Sequence, residues 1–219
     1  MRPEAAGGKF RCQATLEREL RARGFHAVAG VDEVGRGCLF GPVVAGAVIL
    51  SPDRPVRGLN DSKLLEPERR EVLAERIRER AVAWAVAAVD AATIDWINIY
   101  QASILAMRKA IDKLTLPPAI VLADGNSFKH EALRFQNVID GDAKSMTIAA
   151  ASIVAKVTRD SLMREYHAQF PEYGFDRHKG YGTRLHIAAL HQHGLCPIHR
   201  RTFHIPDSKE ASNRGHSMS

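Results

Sequence analysis

Several things are scarce in this chain, and each scarcity narrows what it can be. Cysteine occurs three times in 219 residues, at Cys12, Cys38 and Cys196. Thiols so few and so dispersed do not make a disulfide scaffold, so a reducing compartment, the cytoplasm, is expected. Long apolar runs are missing as well. The stretch LFGPVVAGAVIL, from Leu39 to Leu50, is too short to span a membrane and is interrupted by Pro42. The start of the chain carries Gly, Arg and Glu and has no apolar targeting segment. No internal repeat and no low-complexity tract is present. Together these absences set aside a secreted mini-domain, a membrane protein and a repeat array, and a soluble protein is expected.

The remaining composition is that of a globular domain, with 45% apolar and 26% charged residues. The length allows one domain of ordinary size with a real core. Thirty-one Lys and Arg against 25 Asp and Glu leave a net charge of +6. That balance favours contact with a polyanion, or else describes a solvated surface that binds nothing.

The most informative stretch is Val28 to Leu50, VAGVDEVGRGCLFGPVVAGAVIL. Two β-compatible segments flank a turn that carries the acids Asp32 and Glu33 and the glycines Gly35 and Gly37 around Arg36. The segments, 25–34 and 42–50, are joined too tightly for a crossover helix and are expected to pair antiparallel. A helix over 15–23 precedes them. A helix over 64–80, with Pro67 in its first turn, follows. AVAWAVAAV (81–89) is expected as a third strand covered on both faces. Thr93 or Asp95 is expected to cap the next helix, whose Ile97, Tyr100, Ile104, Met107 and Ile111 recur at steps of three and four. Short strands at 119–123 and 135–139 end at Asp124 and just before Asp142. A long helix from Ser145 to about Phe170 opens with small residues suited to close approach to a sheet. A basic loop (175–181), a helix (183–193) and a basic segment (196–203) complete the chain. The order β-β-α-β-α-β-β-α predicts an α/β sandwich with ligands at the strand ends. Asp32, Glu33, Asp124 and Asp142 all fall there, which reads as a site for hard cations or as ordinary turn aspartates.

Taken together, AGVDEVGRG (29–37), GPVV (41–44), LNDSK (59–63), NIYQASILAM (98–107), ADG (123–125), GDAKSMTIAAASIVAKVTRD (141–160), YGFDRHKGYGT (173–183) and CPIHRRTF (196–203) resemble ribonuclease HII, in family order. The resemblance implies a ribonuclease H-like α/β fold: a mixed five-stranded sheet flanked by helices, with a helical C-terminal extension. It implies an N-terminal segment at 1–24, a catalytic core at 25–170, a basic extension for substrate at 171–205 and a disordered tail at 206–219. The family hydrolyses the RNA strand of RNA–DNA hybrids and incises duplex DNA 5′ to an embedded ribonucleotide, using Mg²⁺ or Mn²⁺ and leaving 5′-phosphate and 3′-hydroxyl ends. By the same resemblance Asp32, Glu33, Asp124 and Asp142 are the catalytic and metal-binding acids. Gly35, Arg36 and Gly37 survey the 2′-hydroxyl, and Tyr181 sits at the ribose–deoxyribose junction.

Ser62, Lys63 and Lys179 are further candidate phosphate contacts. Two departures from the family pattern, Cys38 for a proline and Phe40 for a small residue, bear on how the turn packs. Because neighbouring side chains on a regular strand face opposite ways, Glu33 needs a twist or bulge, or an outer-shell role. Zinc at His191, His193, Cys196 and His199 lacks the paired cysteines of structural sites. The run His199 to Arg201 reads as a phosphate-facing or packing segment. A monomer acting on RNA–DNA hybrid and ribonucleotide-containing DNA is expected. A DNA-cutting nuclease of the same superfold and a silent nucleic-acid binder are the competing classes.

Overall fold

In the centre of the molecule, β1 (Val28–Val34) pairs antiparallel with β2 (Val43–Ile49), placing Asp32 opposite Gly46 and Glu33 opposite Ala45. The computed structural model describes Cys12 and residues 14–205, so the expected disordered tail at 206–219 lies outside the described residues. β3 (Ala83–Val89) adds antiparallel to β2, while β4 (Ile120–Asp124) joins β1 in parallel and β5 (Phe135–Val138) joins β4 in parallel. The result is a mixed five-stranded sheet in the order β3-β2-β1-β4-β5.

Helices cover both faces. α3 (Ala91–Asp112) packs on one face, against Ala29, Val31, Ala45 and Ala47. α5 (Met146–Gln169) lies on the other, with α2 (Pro67–Arg80) and α1 (Thr15–Ala22) beside it. The approach of α5 is close because Gly30 and Gly46 present no side chain to it. A Cβ on Gly30 would collide with the backbone of Thr147, and one on Gly46 with the carbonyl of Ala151. Those glycines and the alanine-rich start of α5 are therefore two halves of one contact.

Some expectations need correction. β3 is not covered on both faces: it is an edge strand whose residues alternate, with Trp84 and Ala88 facing out. A purely apolar string hides that alternation, because alanine and valine are tolerated on either face. α3 starts earlier than expected, capped by Asp90, whose carboxylate accepts from Thr93 N at 2.7 Å. Asp95 instead accepts from the backbone of Arg201 and Thr202. α3 also breaks at Asn98 (φ 66°), which recaps it by accepting from Gln101 N. α2 starts at Pro67, because residues 62–64 form a tight 3₁₀ turn capped by Asp61. The stretch read as a basic loop contains a short helix, α6 (Phe175–His178), before α7 (Arg184–His193). α1, within the segment set outside the core, buries Glu17 and Leu20.

Candidate active site

The parallel register of β1 and β4 sets Val31 beside Ala123, so Asp32 and Asp124 emerge side by side at the strands' C-terminal ends. Asp142 arrives from the far side on α4 (Gly141–Lys144), a single turn entered through Asp140 in the left-handed region (φ 53°). The Gly141 amide donates to Asp124 Oδ1 at 2.7 Å, which ties that turn to the strand end. Asp32 and Asp142 are both buried. Asp32 shares the sheet face of Gly30, towards α5, and takes a hydrogen bond from Ser152 on that helix. Glu33 points to the opposite face, towards α3. There it lines a small cleft with Arg36, Tyr100, Asp124 and Asn126 and pairs with Arg36 at 3.1 Å. The sheet thus delivers Asp32, Asp124 and Asp142 to one place and leaves Glu33 at its border.

The electrostatics follow from burial. Desolvation, then the charges of Glu33 and Asp124, holds the Asp32 carboxyl well above the usual range. Asp142 is raised by burial and by the charges of Asp61 and Asp124, against the pull of Lys63. Glu33 is raised by burial although Arg36 opposes the shift. Among the described residues Asp32 forms no salt bridge, and Lys63 reaches Asp142 at 3.8 Å from an exposed position. A buried anionic cluster that its own chain leaves under-compensated, built only of oxygen donors, fits hard divalent cations. Among the described residues no three His, Cys, Asp or Glu side chains converge closely enough to hold a metal ion by themselves. The carboxylates line an open edge, the arrangement in which water and substrate oxygens complete a magnesium shell.

Beside the acids, the turn after β1 is held from beneath by two arginines: Arg159, to which the motifs gave no role, and Arg200, which lies in the run expected to face phosphate or to pack. Arg200 is buried and donates to the carbonyls of Gly35 (2.7 Å), Arg36 (2.8 Å) and Gly41 (2.9 Å). Arg159, also buried, donates to Lys179 O (2.8 Å), Pro42 O (3.2 Å) and Phe40 O (3.2 Å). Carbonyls thus take the place of carboxylate partners for these two cations. A trans peptide aims its N–H away from its C=O. Pinning the carbonyls of Gly35 and Arg36 inward therefore aims the amides of Arg36 and Gly37 outward, and both residues are exposed. Gly35 must be glycine twice over: its φ is 95°, and a Cβ there would run into the Arg159 side chain. In sequence, Arg159 and Arg200 look like any basic residues; only a buried position reveals them.

The other predicted residues separate into two groups. Tyr181 is 41% exposed and bridges backbone-to-backbone with Cys38, two residues after Arg36. Burial of its inner half raises its hydroxyl pKa. Lys63 is exposed beside Asp142. Ser62, by contrast, is buried, and its hydroxyl meets Ser152 Oγ at 2.9 Å, one step behind Asp32. Lys179 bends back so that its ammonium donates to Asp176 O. Both are turned inward. Cys38 Sγ lies against Lys179 O, and Phe40 stacks on Phe175 with ring centroids 3.6 Å apart. The two departures from the family pattern therefore join the turn to the C-terminal layer.

That layer contains a set of buried, hydrogen-bonded histidines. His191 and His193 are exposed while Cys196 and His199 are buried. His199 meets His186 at 3.1 Å and accepts from Cys196 N; His186 donates to Tyr181 O; His178 donates to Tyr173 O and stacks on His186. Burial drives all three imidazoles towards the neutral form, with His186 lowered to about 3 and His199 to about 4. In the run His199 to Arg201, the first two residues pack inside and only Arg201 is exposed.

A mixed five-stranded sheet with carboxylates at the ends of β1 and β4 defines the class: a ribonuclease H-like metal-dependent endonuclease. The Ribonuclease HII family model matches residues 29–205. The chain belongs to the ribonuclease HII family. It is 64% identical over 203 residues to Ribonuclease HII of Solibacter usitatus (strain Ellin6076), covering 93% of this chain and 89% of that protein. Among solved structures it is similar to ribonuclease H2 from Pyrococcus horikoshii OT3, with a TM-score of 0.69, 27% identity, and coverage of 85% and 97% of the two chains. It is also similar to RNase HII in the PCNA complex from Archaeoglobus fulgidus, with a TM-score of 0.68, 29% identity, and coverage of 80% and 92%.

Proposed function

We propose that this chain cuts the strand containing RNA in RNA–DNA hybrids, and duplex DNA on the 5′ side of a single embedded ribonucleotide, with Mg²⁺ or Mn²⁺ as cofactor. The observation that carries the reading is the juxtaposition of an under-compensated carboxylate cluster with a turn whose amides are aimed outward. Asp32, Asp124 and Asp142 would hold the cations, with Glu33 contributing from the border once Arg36 turns to substrate. Two bound divalent ions supply an activated water and stabilise charge on the phosphoryl and leaving oxygens. The chain's own groups do the selecting. Outward amides at Arg36 and Gly37 are donors fit for a ribose 2′-oxygen, the atom that separates RNA from DNA. Tyr181 offers an aromatic face to the adjoining deoxyribose, which has no 2′-hydroxyl to bury. Lys63 is placed for a phosphate, whereas Ser62 and Lys179 act from inside, Ser62 through Ser152 on Asp32 and Lys179 through its carbonyl on Arg159.

A monomer is the assembly state we propose for this enzyme. Free, buried cysteines at 12, 38 and 196 fit the cytoplasm. Among the described residues no helix is long and apolar enough to cross a membrane.

The test is a DNA duplex with one ribonucleotide, incubated with and without Mg²⁺ or Mn²⁺, with the product ends mapped. Cutting 5′ to the ribonucleotide, only with metal, leaving 3′-hydroxyl and 5′-phosphate, is expected. Equal cutting of an all-DNA duplex, or cutting without metal, refutes the reading. Tyr181→Ala should reduce cutting at the single ribonucleotide by about 10–100-fold, a few kcal/mol of alignment, and reduce cutting inside long hybrids less. Equal losses on the two substrates would make Tyr181 a general binding residue.

A further inference from the structure

Glu17 lies on α1, before the span that the family model matches, yet it is only 2% exposed. Burying a carboxylate is costly unless donors meet it. Here one oxygen, Oε1, accepts from Ser145 Oγ at 2.7 Å, Thr147 N at 2.9 Å and Thr147 Oγ1 at 2.9 Å. These groups form the N-terminus of α5, where free amides and the helix dipole favour an anion. Ser145 also caps α5 through Ile148 N, so the helix start has a cap from its own N-cap residue and a second from a segment about 130 residues away.

What that start carries is the metal-site elbow. Ser145 N donates to Gly141 O at 2.7 Å, and Gly141 N donates to Asp124 Oδ1 at 2.7 Å. Asp142 sits between Gly141 and Ser145. A run of hydrogen bonds therefore passes from Glu17 through Ser145 and Gly141 to Asp124, with Asp142 on the same turn. The elbow is closely fitted as well: a Cβ on Gly141 would stand 2.6 Å from Ile148 Cδ1 and 3.0 Å from Asp124 Oδ1.

We infer that Glu17 is a positioning residue for the carboxylate site, fixing the turn that orients Asp124 and Asp142. The inference rests on the reading that these acids hold divalent cations. Its second carboxylate oxygen is buried with no hydrogen-bond partner, so Glu17 is not an ideal stabiliser of the fold.

The experiment compares wild type, Glu17→Ala, Glu17→Gln and Leu20→Ala. Leu20 is buried on the same helix, in the apolar cluster that includes Ile148, and as an apolar side chain it neither donates nor accepts in the hydrogen-bonded run. Two measurements are made: calorimetric Mn²⁺ affinity, and hydrogen exchange of amides 141–147 in metal-free protein. Glu17→Ala should weaken Mn²⁺ about tenfold or more, the scale seen when a ligand's outer partner is lost, and speed exchange across the elbow. Glu17→Gln keeps an acceptor oxygen and should lose less on both counts. Leu20→Ala should lower the melting temperature while leaving affinity and elbow exchange as in wild type.

Wild-type affinity and exchange in Glu17→Ala would overturn the inference, as would an equal loss in Leu20→Ala. Should the alanine chain fail to fold, Glu17→Gln against Leu20→Ala decides by the same criteria. If wild type itself binds no Mn²⁺, the metal reading falls, and elbow exchange alone decides whether Glu17 holds the turn.

Discussion

The sheet edge and the C-terminal layer bury ionisable groups in opposite ways. At the edge, Asp32, Glu33 and Asp142 are all raised by burial, and neighbouring acids add to the strain on each. In the C-terminal layer, Arg159 and Arg200 are satisfied by six backbone carbonyls, and His178, His186 and His199 stay neutral and bonded to one another or to backbone. The two buried arginines find their partners within the chain, whereas the carboxylates at the edge crowd one another. On the proposed reading, the first arrangement holds the turn after β1 in place and the second leaves the edge an affinity for cations.

The largest effect expected from breaking this contrast comes at Asp32. Asp32→Asn removes one negative charge with little change in volume, so metal-dependent cleavage should fall to background. The metal-free melting temperature should hold or rise, because a buried like-charge repulsion is relieved. Cleavage at the wild-type rate would remove Asp32 from the chemistry.

Next comes the opposite substitution, at a buried cation with its partners in place. Arg200→Lys keeps the charge but loses the planar fork, and one ammonium nitrogen cannot reach three carbonyls spaced for Nε, Nη1 and Nη2. Two stranded buried acceptors should cost roughly 2–5 kcal/mol, read as a lower denaturation midpoint. The ratio of cutting at a ribonucleotide to cutting elsewhere should fall with it. An unchanged midpoint would mean that the clamp does not organise the turn.

The smallest effect, and the sharpest, is in pH. The three histidines have folded pKa values below 6.5, His199 at about 4 and His186 at about 3. Between those values and 6.5 the unfolded chain binds more protons. Their stabilisation is therefore whole above pH 6.5 and is lost as pH falls through that window, by up to about 1.4 kcal/mol per histidine per pH unit. The acids have the reverse sign. Their folded pKa values are raised, so the folded chain binds more protons and acidification relieves it. In metal-free wild type the two trends oppose each other. Asp32→Asn removes part of the relief, and its melting temperature should drop more between pH 7 and pH 5 than that of wild type. Parallel curves would show that the two regions do not differ in sign.

Much of this was legible in residues alone. The tight Val28 to Leu50 stretch implied an antiparallel pair, and the DEVGRG, ADG and GDAKS strings marked the acids, because turn glycines and strand-end aspartates are local features. Strand alternation already set Glu33 apart from Asp32, asking for a twist, a bulge, or a role through its carbonyl or an outer-shell water; in the structure its side chain lines the cleft beside α3. Less local features were misread or missed. β3 looked covered on both faces, since alanine carries no sign of which side meets water. Ser62 and Lys179 looked like phosphate contacts, since a polar side chain does not announce whether it turns inward.

Sequence by itself determined the periodicities, the turns and the order of the acids, all of which depend on neighbours a few residues apart. Only the tertiary structure decided that Arg159 and Arg200 pin one turn from 117 to 165 residues away, and that Glu17 reaches the start of α5 across about 130. It also decided that three histidines are neutral. Those assignments depend on burial and on partners brought together by the packing of the sheet. A charged residue's role is set by what replaces its water, and that is a property of the fold.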